Sequence, residues 1–218
     1  MPSLFEELNA ELSGVMTDVS RSVVQVRDES RGAGAGMIWH ADGLIITNAH
    51  VARRGPLKVA LYDGRVLDAR LIARDEERDL AALVVDAHEL PTIQIGSSRT
   101  LQAGQWVMSL GHPWGILNAA SGGVVISTGK PAPELRAGHN DWVVCDLHLR
   151  PGNSGGPLFD VHGRLIGVNT MITSPNVGVA VGVDAVKDFL KRTIGSASAA
   201  PPASGGSGVD APQPSMFV

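Results

Sequence analysis

Ser154, His50 and Asp79 are the residues of this sequence whose types and settings suit acyl-transfer chemistry. Ser154 sits in Pro151-Gly152-Asn153-Ser154-Gly155-Gly156-Pro157, where every residue but the serine is a turn former, so the backbone must be tight and irregular. A serine hydroxyl is a weak nucleophile unless a base lies within hydrogen-bond reach. The carbonyl it attacks becomes an oxyanion that needs fixed N–H donors. Glycines around the serine allow a loop that aims two N–H groups at one point, and by position these are those of Gly152 and Ser154. His50, in Thr47-Asn48-Ala49-His50-Val51, follows the apolar run Leu44-Ile45-Ile46, which puts an imidazole at the end of a buried strand. Asp79 opens another apolar run, Leu80 to Val85, and an acid there can hold a histidine's tautomer and stabilise its charged form. Taken alone, the Ser154 segment also fits a plain glycine-rich turn between strands.

The elements that must position these residues are short strands. Val23 to Val26, Met37 to Trp39, Leu44 to Ile46, Leu57 to Leu61, Val66 to Ile72 and Leu80 to Val85 are apolar runs separated by turn signals such as Asp42-Gly43 and Asp63-Gly64. Spacings of roughly 8–12 residues between turns point to a barrel. The run Gly32-Ala33-Gly34-Ala35-Gly36 lacks the spacing of a dinucleotide loop and reads as a bend before the strand at Met37. Leu90 to Leu101 is turn-rich and reads as the crossing to a second barrel. Its strands are Trp106 to Leu110, Gly122 to Thr128, Trp142 to Asp146, Pro157 to Phe159, Leu165 to Asn169 and Val177 to Val183. Asp184 is placed to cap a helix from Ala185 to Arg192, and Leu4, Leu8, Leu12 and Val15 recur at helical spacing near the start. The expected domain covers 1–194, with a helix over 4–18, barrels over about 22–90 and 103–183, and a helix over 185–192. From Gly195 to the end the composition turns to Ala, Ser, Pro and Gly and predicts a disordered tail.

Composition narrows the function classes. The chain has 218 residues, a net charge of −4 with mixed signs, and 4% aromatics, so neither a basic field nor a stacking platform for nucleic acid is expected. The single cysteine, Cys145, lies in Trp142-Val143-Val144-Cys145 and reads as a buried strand thiol. No apolar run is long enough for a membrane span, and no histidine pair has a metal-site spacing. No cofactor is implied. The first residues lack the basic and apolar regions of a signal peptide. The expected location is cytoplasmic if the chain is complete, and periplasmic or otherwise extracytoplasmic if a leader has been removed.

Three motifs in register, Thr-Asn-Ala-His-Val at His50, Asp-Leu-Ala at Asp79 and Pro-Gly-Asn-Ser-Gly-Gly-Pro-Leu at Ser154, resemble those of the HtrA/Deg family of trypsin-like serine proteases. Gly111-His112-Pro113-Trp114-Gly115, Gly122-Gly123-Val124-Val125 and Gly167-Val168-Asn169-Thr170 fall where that family has comparable segments, and the resemblance covers Val23 to Arg192. It implies an all-β fold of two packed six-stranded antiparallel barrels with short terminal helices. It also implies endoproteolysis of unfolded or damaged proteins by a His50, Asp79, Ser154 triad at the crevice between the barrels. A catalytically silent peptide-binding or chaperone module on the same fold is the alternative. Leu149, Asn169, Thr170 and Ile172 match the walls of the family's substrate pocket, with Leu149 inward favouring small aliphatic side chains and the opposite register admitting acidic ones. His112 replaces a usual asparagine, a structural departure, and His148 and Arg150 stand where relatives carry small or neutral residues. A homotrimer built through the N-terminal helix is implied as well. Only the low-complexity stretch follows Arg192 in this sequence, so regulation through the family's usual PDZ domain is not expected.

Overall fold

The computed structural model describes residues 3–28, 33–53, 55–129, 141–174 and 176–197. Six strands form the first barrel: β1 (Val23–Asp28), β2 (Ala33–His40), β3 (Leu44–Thr47), β4 (Leu57–Ala60), β5 (Val66–Asp75) and β6 (Leu80–Val85). They pair antiparallel in the order β1-β2-β3-β6-β5-β4 and close through β4 against β1. The second barrel contains β8 (Trp106–Gly111), β9 (Ala119–Gly129), β10 (Trp142–Asp146), β11 (Pro157–Asp160), β12 (Arg164–Ser174) and β13 (Val177–Gly182), closed by β11 against β12. A two-residue strand, β7 (Gln94–Ile95), adds to β12 in parallel and lies in the turn-rich passage expected to cross between the barrels.

Alternation along the strands explains why so many are apolar on both faces. Val24, Val26, Ile38, Ile45, Leu57, Val59 and Leu83 fill the first barrel. Val107, Val125, Val143, Cys145, Leu158 and Ile166 fill the second. Their neighbours on the opposite face, Val23, Met37, Ile46, Leu80 and Ala82 from the first barrel and Met108, Phe159, Leu165 and Val181 from the second, meet in a third, shared core. Successive side chains of a strand point to opposite faces, so a strand between two cores reads as a continuous apolar run. That shared core locks the barrels to each other and fixes the crevice between them.

The helices cover this shared core. Helix α1 (Leu4–Ser20) begins with a capping box, Ser3 N–H donating to Glu6 Oε2 at 2.6 Å and Glu6 N–H to Ser3 Oγ at 3.3 Å. Leu12, Val15 and Met16 pack on the core, but Leu4, Phe5 and Leu8 are 76%, 80% and 52% exposed. Helix α2 (Val183–Ala197) buries Val186, Phe189 and Leu190. It runs past Arg192, its expected end, and through Gly195, where the composition changes, because one glycine in a helix costs only about 1 kcal/mol. Asp184, expected as its cap, lies instead in the first turn. Its carboxylate accepts hydrogen bonds from Ser97 Oγ, Ser98 N–H and Ser98 Oγ at 2.7–3.1 Å, tying the helix to the crossing between barrels. Burial works against the charge of Asp184, but the donors from Ser97, Lys187 and Ser98 override it and hold its pKa well below the usual carboxylate range.

The glycine run is a correction to the sequence reading: Ala33 to Gly36 is not a bend but the start of β2, paired with β1. The residues are small because the Ser154 loop lies against them. A Cβ on Gly34 would stand 2.6 Å from Val51 and 3.0 Å from the Ser154 carbonyl oxygen. The predicted tail falls on residues of which 198–218 lie outside the described ones. No helix among the described residues is long and apolar enough to cross a membrane.

Candidate active site

His50 and Asp79 meet because of one strand register. In the antiparallel pair β3–β6, Thr47 lies opposite Ala81 and Ile46 opposite Ala82. Continuing that register beyond the last pair sets Ala49-His50 against Asp79. His50 Nδ1 is 2.7 Å from Asp79 Oδ2, and the His50 backbone N–H donates to Asp79 Oδ1 at 3.0 Å. Asp79 holds a left-handed φ of 56°, and Asn48 Nδ2 donates to its carbonyl at 2.9 Å. Left-handed backbone is uncommon outside glycine, though aspartate tolerates it better than most residues. Here it turns the carboxylate back toward the imidazole. The Asp79 side chain is 20% exposed and that of His50 46%, so the imidazole keeps an open edge.

The second barrel brings Ser154 to the same place. Gly155 N–H donates to the Asn169 carbonyl and Asn169 N–H to the Gly156 carbonyl, at 2.8 and 2.9 Å, which sets the loop beside β12. Asn169 is buried, and its Nδ2 donates to Ser109 Oγ at 2.7 Å and to the Pro157 carbonyl at 3.0 Å. The first barrel holds the loop from the other side, with Ala35 N–H donating to the Ser154 carbonyl at 2.8 Å. Ser154 Oγ donates to the Thr170 carbonyl at 3.3 Å and makes no hydrogen bond to His50 among the described residues. Thr170 Oγ1 donates to Asp79 Oδ2, so one residue touches both the serine and the acid.

The turn before the serine has Pro151 and Gly152 at its corners and Asn153 N–H donating to the Arg150 carbonyl at 2.9 Å. Gly152 has φ 106°, the sign that the third residue of a type II turn requires and that glycine supplies without strain. Among the described residues neither the Gly152 N–H nor the Ser154 N–H is engaged, which leaves both available to an incoming oxygen. The Gly152 carbonyl accepts from His112 N–H at 2.9 Å, so the Gly111-His112-Pro113 segment braces the turn. His112 is buried, and burial lowers its pKa. Its Nδ1 accepts from Asn118 N–H at 3.2 Å, a bond open only to the form unprotonated there.

A cavity of about 210 Å³ opens beside Ser154, lined by Leu149, Arg150, Pro151, Asn169 and Thr170 among others. Leu149 is 4% exposed, and its methyl carbon packs where a Cβ on Gly178 would stand, whereas His148 is exposed. Leu149 therefore points inward and His148 outward. Arg150, which the alternation of a strand would turn away with His148, lines the cavity beside Leu149, because residues 147–150 follow the end of β10 and are not in a strand. Ile172 lies in β12 opposite Gly178, but its side chain falls outside the described ones. A larger cavity, about 540 Å³, between Ile95, Trp106 and Val161 shares no residue with this site. Cys145 is buried in β10, and burial pushes its thiol up to about 12. Among the described residues no three His, Cys, Asp or Glu side chains gather as a metal site requires.

Nothing in the local pattern marks Thr170 as a partner of Asp79, since 91 residues separate them. Asn48 stood in view beside His50, yet only the fold reveals that it holds the Asp79 backbone.

Residues 34–168 match the family model of the trypsin-like peptidase domain. The chain belongs to the trypsin-like peptidases, on their HtrA branch. It is 34% identical over 206 residues to a probable periplasmic serine endoprotease, DegP-like, of Halomonas elongata, covering 91% of this chain and 43% of that protein. It is 38% identical over 164 residues to the mitochondrial serine protease HTRA2 of Drosophila willistoni, covering 73% of this chain and 38% of that protein. The chain thus spans less than half the length of these curated relatives. Among solved structures, the HtrA-type protease AlgW with a tripeptide superposes with a TM-score of 0.79 at 29% identity, covering 85% of this chain and 64% of that one. AlgW with a decapeptide gives 0.77 at 27% identity, covering 84% and 67%.

Proposed function

We propose that this chain is a serine endopeptidase working through a covalent acyl-enzyme. The observation that carries the reading is the contact of His50 Nδ1 with Asp79 Oδ2 at 2.7 Å beside a serine loop whose two N–H groups are unengaged. Ser154 Oγ attacks the peptide carbonyl while His50 Nε2 takes its proton. Asp79 holds the Nδ1–H and stabilises the imidazolium. The Gly152 and Ser154 N–H groups donate to the oxyanion. His50 then returns the proton to the leaving amine, and water hydrolyses the acyl-enzyme by the same steps in reverse. For attack, Ser154 Oγ must leave the Thr170 carbonyl and turn to His50, which forfeits one long hydrogen bond.

Leu149 at the floor of the cavity supports a preference for small aliphatic side chains before the scissile bond, with Asn169, Thr170 and Ile172 along the neighbouring strand. Unfolded or damaged proteins are the proposed substrates, and the protease domain is taken as 1–194 with a tail beyond it. The exposed Leu4, Phe5 and Leu8 support assembly of a homotrimer through α1, since the other described residues leave that stripe uncovered. The name of the DegP-like relative favours action outside the cytoplasm. The Ser154–Thr170 hydrogen bond favours one rival: a silent module that only holds peptide in the cleft. A fluorophosphonate probe separates them. Labelling that disappears in Ser154→Ala supports the protease, and an unlabelled wild-type chain supports the binder.

A further inference from the structure

Among the described residues, Arg150 is the one lining the Ser154 cavity that carries a full positive charge, and nothing in the described structure neutralises it. Its guanidinium makes no ion pair and no side-chain hydrogen bond among the described residues, whereas Arg65, Arg78 and Arg164 each hold a carboxylate at 2.7–3.1 Å. The acid closest in role, Asp79, is committed to His50 and Thr170. Arg150 instead lies over the ring of Trp114, with its central carbon 4.7 Å from the ring centroid. A cation over an indole face within about 6 Å is attracted by the ring quadrupole, and stacking leaves the edge N–H donors free for other partners.

Trp114 is an unusual support. It is 71% exposed and holds a left-handed φ of 55°, which a bulky residue seldom adopts. Burial cannot account for keeping a large aromatic side chain in that position. The segment that carries it is fixed to the serine loop through His112 N–H and the Gly152 carbonyl. On the other side, Arg150 N–H donates to Asn153 Oδ1 at 3.2 Å. Both halves of the stack are therefore built onto the same loop as Ser154, and the guanidinium is held at the rim of a cavity whose floor is Leu149.

We propose that Arg150, stacked on Trp114, is a carboxylate-binding subsite of the cleft that selects substrates carrying Asp or Glu beside the scissile bond. The proposal rests on the protease reading. The planar fork of a guanidinium matches a carboxylate with two parallel hydrogen bonds, and the apolar floor leaves the rim as the place where charge is read.

Fluorogenic peptides with an aliphatic residue before the cleaved bond, and Glu or Gln at each flanking position in turn, test it. At one position the Glu peptide is expected to be cleaved with a kcat/KM about tenfold above its Gln counterpart at low salt, a ratio that shrinks as ionic strength rises. Arg150→Gln brings the ratio to about one, Arg150→Glu turns it in favour of Lys over Gln, and Trp114→Ala lowers it. Cleavage with equal Glu and Gln rates at every position overturns the subsite while leaving the protease intact. If no peptide is cleaved and no probe labels Ser154, the protease reading fails. The Glu and Gln peptides are then compared by their Kd for the Ser154→Ala chain with and without Arg150→Gln. Tighter binding of the Glu peptide that vanishes in the double variant upholds the subsite, and equal affinities overturn it.

Discussion

Thr170→Val removes one oxygen from the site and keeps the shape of the side chain, which makes it the sharpest probe of how the acid is held. Asp79 accepts three hydrogen bonds with its carboxylate: from His50 Nδ1, from His50 N–H and from Thr170 Oγ1. The Asp79 side chain is only 20% exposed, so water cannot fully replace the lost donor. A hydrogen bond to a charged group in such a setting contributes about 1.5–3 kcal/mol. For a domain of this size that corresponds to a fall in Tm of about 3–12 °C. The valine also leaves Asp79 Oδ2 free to swing, which loosens its grip on the imidazole. The expected loss in kcat is about tenfold, or ~1.4 kcal/mol, far less than for removal of the carboxylate itself, and KM should stay close to its original value. Thr170→Ser restores the hydroxyl and should recover most of both losses. Thermal melts and steady-state kinetics on one peptide measure them together. A Val variant with unchanged Tm and kcat, or a Ser variant as poor as Val, would refute the reasoning.

Ser154→Ala should abolish hydrolysis and shift Tm by no more than about 2 °C, since only one long hydrogen bond is lost; measurable turnover by this variant defeats the triad assignment. Asp79→Asn should lower kcat by roughly 10⁴-fold, because the amide favours the wrong tautomer of His50, and near-normal turnover would exclude it as the orienting acid. The pKa of His112 is lowered by burial, so the stability linked to it is fully present above its ordinary value of about 6.5 and is lost as pH falls through its folded value. His112→Asn should therefore flatten the fall of Tm as pH drops below about 6.5, and an unchanged slope would show that other groups set it. Leu149→Ala should deepen the cavity and shift cleavage toward larger apolar side chains, which profiling of a peptide library reads directly.

Features set by neighbours in the chain were open to sequence reasoning, and those set by distant partners were not. The serine turn, the strand before His50 and the acid before Leu80 are each specified by a few adjacent residues, and the β3–β6 register then brings His50 to Asp79 within one barrel. The glycine run misled for the opposite reason. Alternating Gly and Ala has the composition of a bend, but here the missing side chains make room for Val51 and the Ser154 carbonyl, from residues 17 and 120 positions further on, and the backbone between stays a strand.

Contacts across the two barrels were the least legible, and they are the ones that make the site rigid. Ala35 N–H holds the Ser154 carbonyl from the first barrel, and Thr170 Oγ1 holds Asp79 from the second. These two bonds run in opposite directions across the crevice, so each barrel grips the part of the site that the other supplies. Neither could act if the barrels slid. The shared core of Val23, Met37, Ile46, Phe159, Leu165 and Val181 beneath them prevents that by burying both sets of strands on one face. An apolar substitution in this core, such as Phe159→Leu, thus bears on catalysis without touching a reacting group: a shift of about 1 Å between serine and histidine is enough to cost roughly 100-fold.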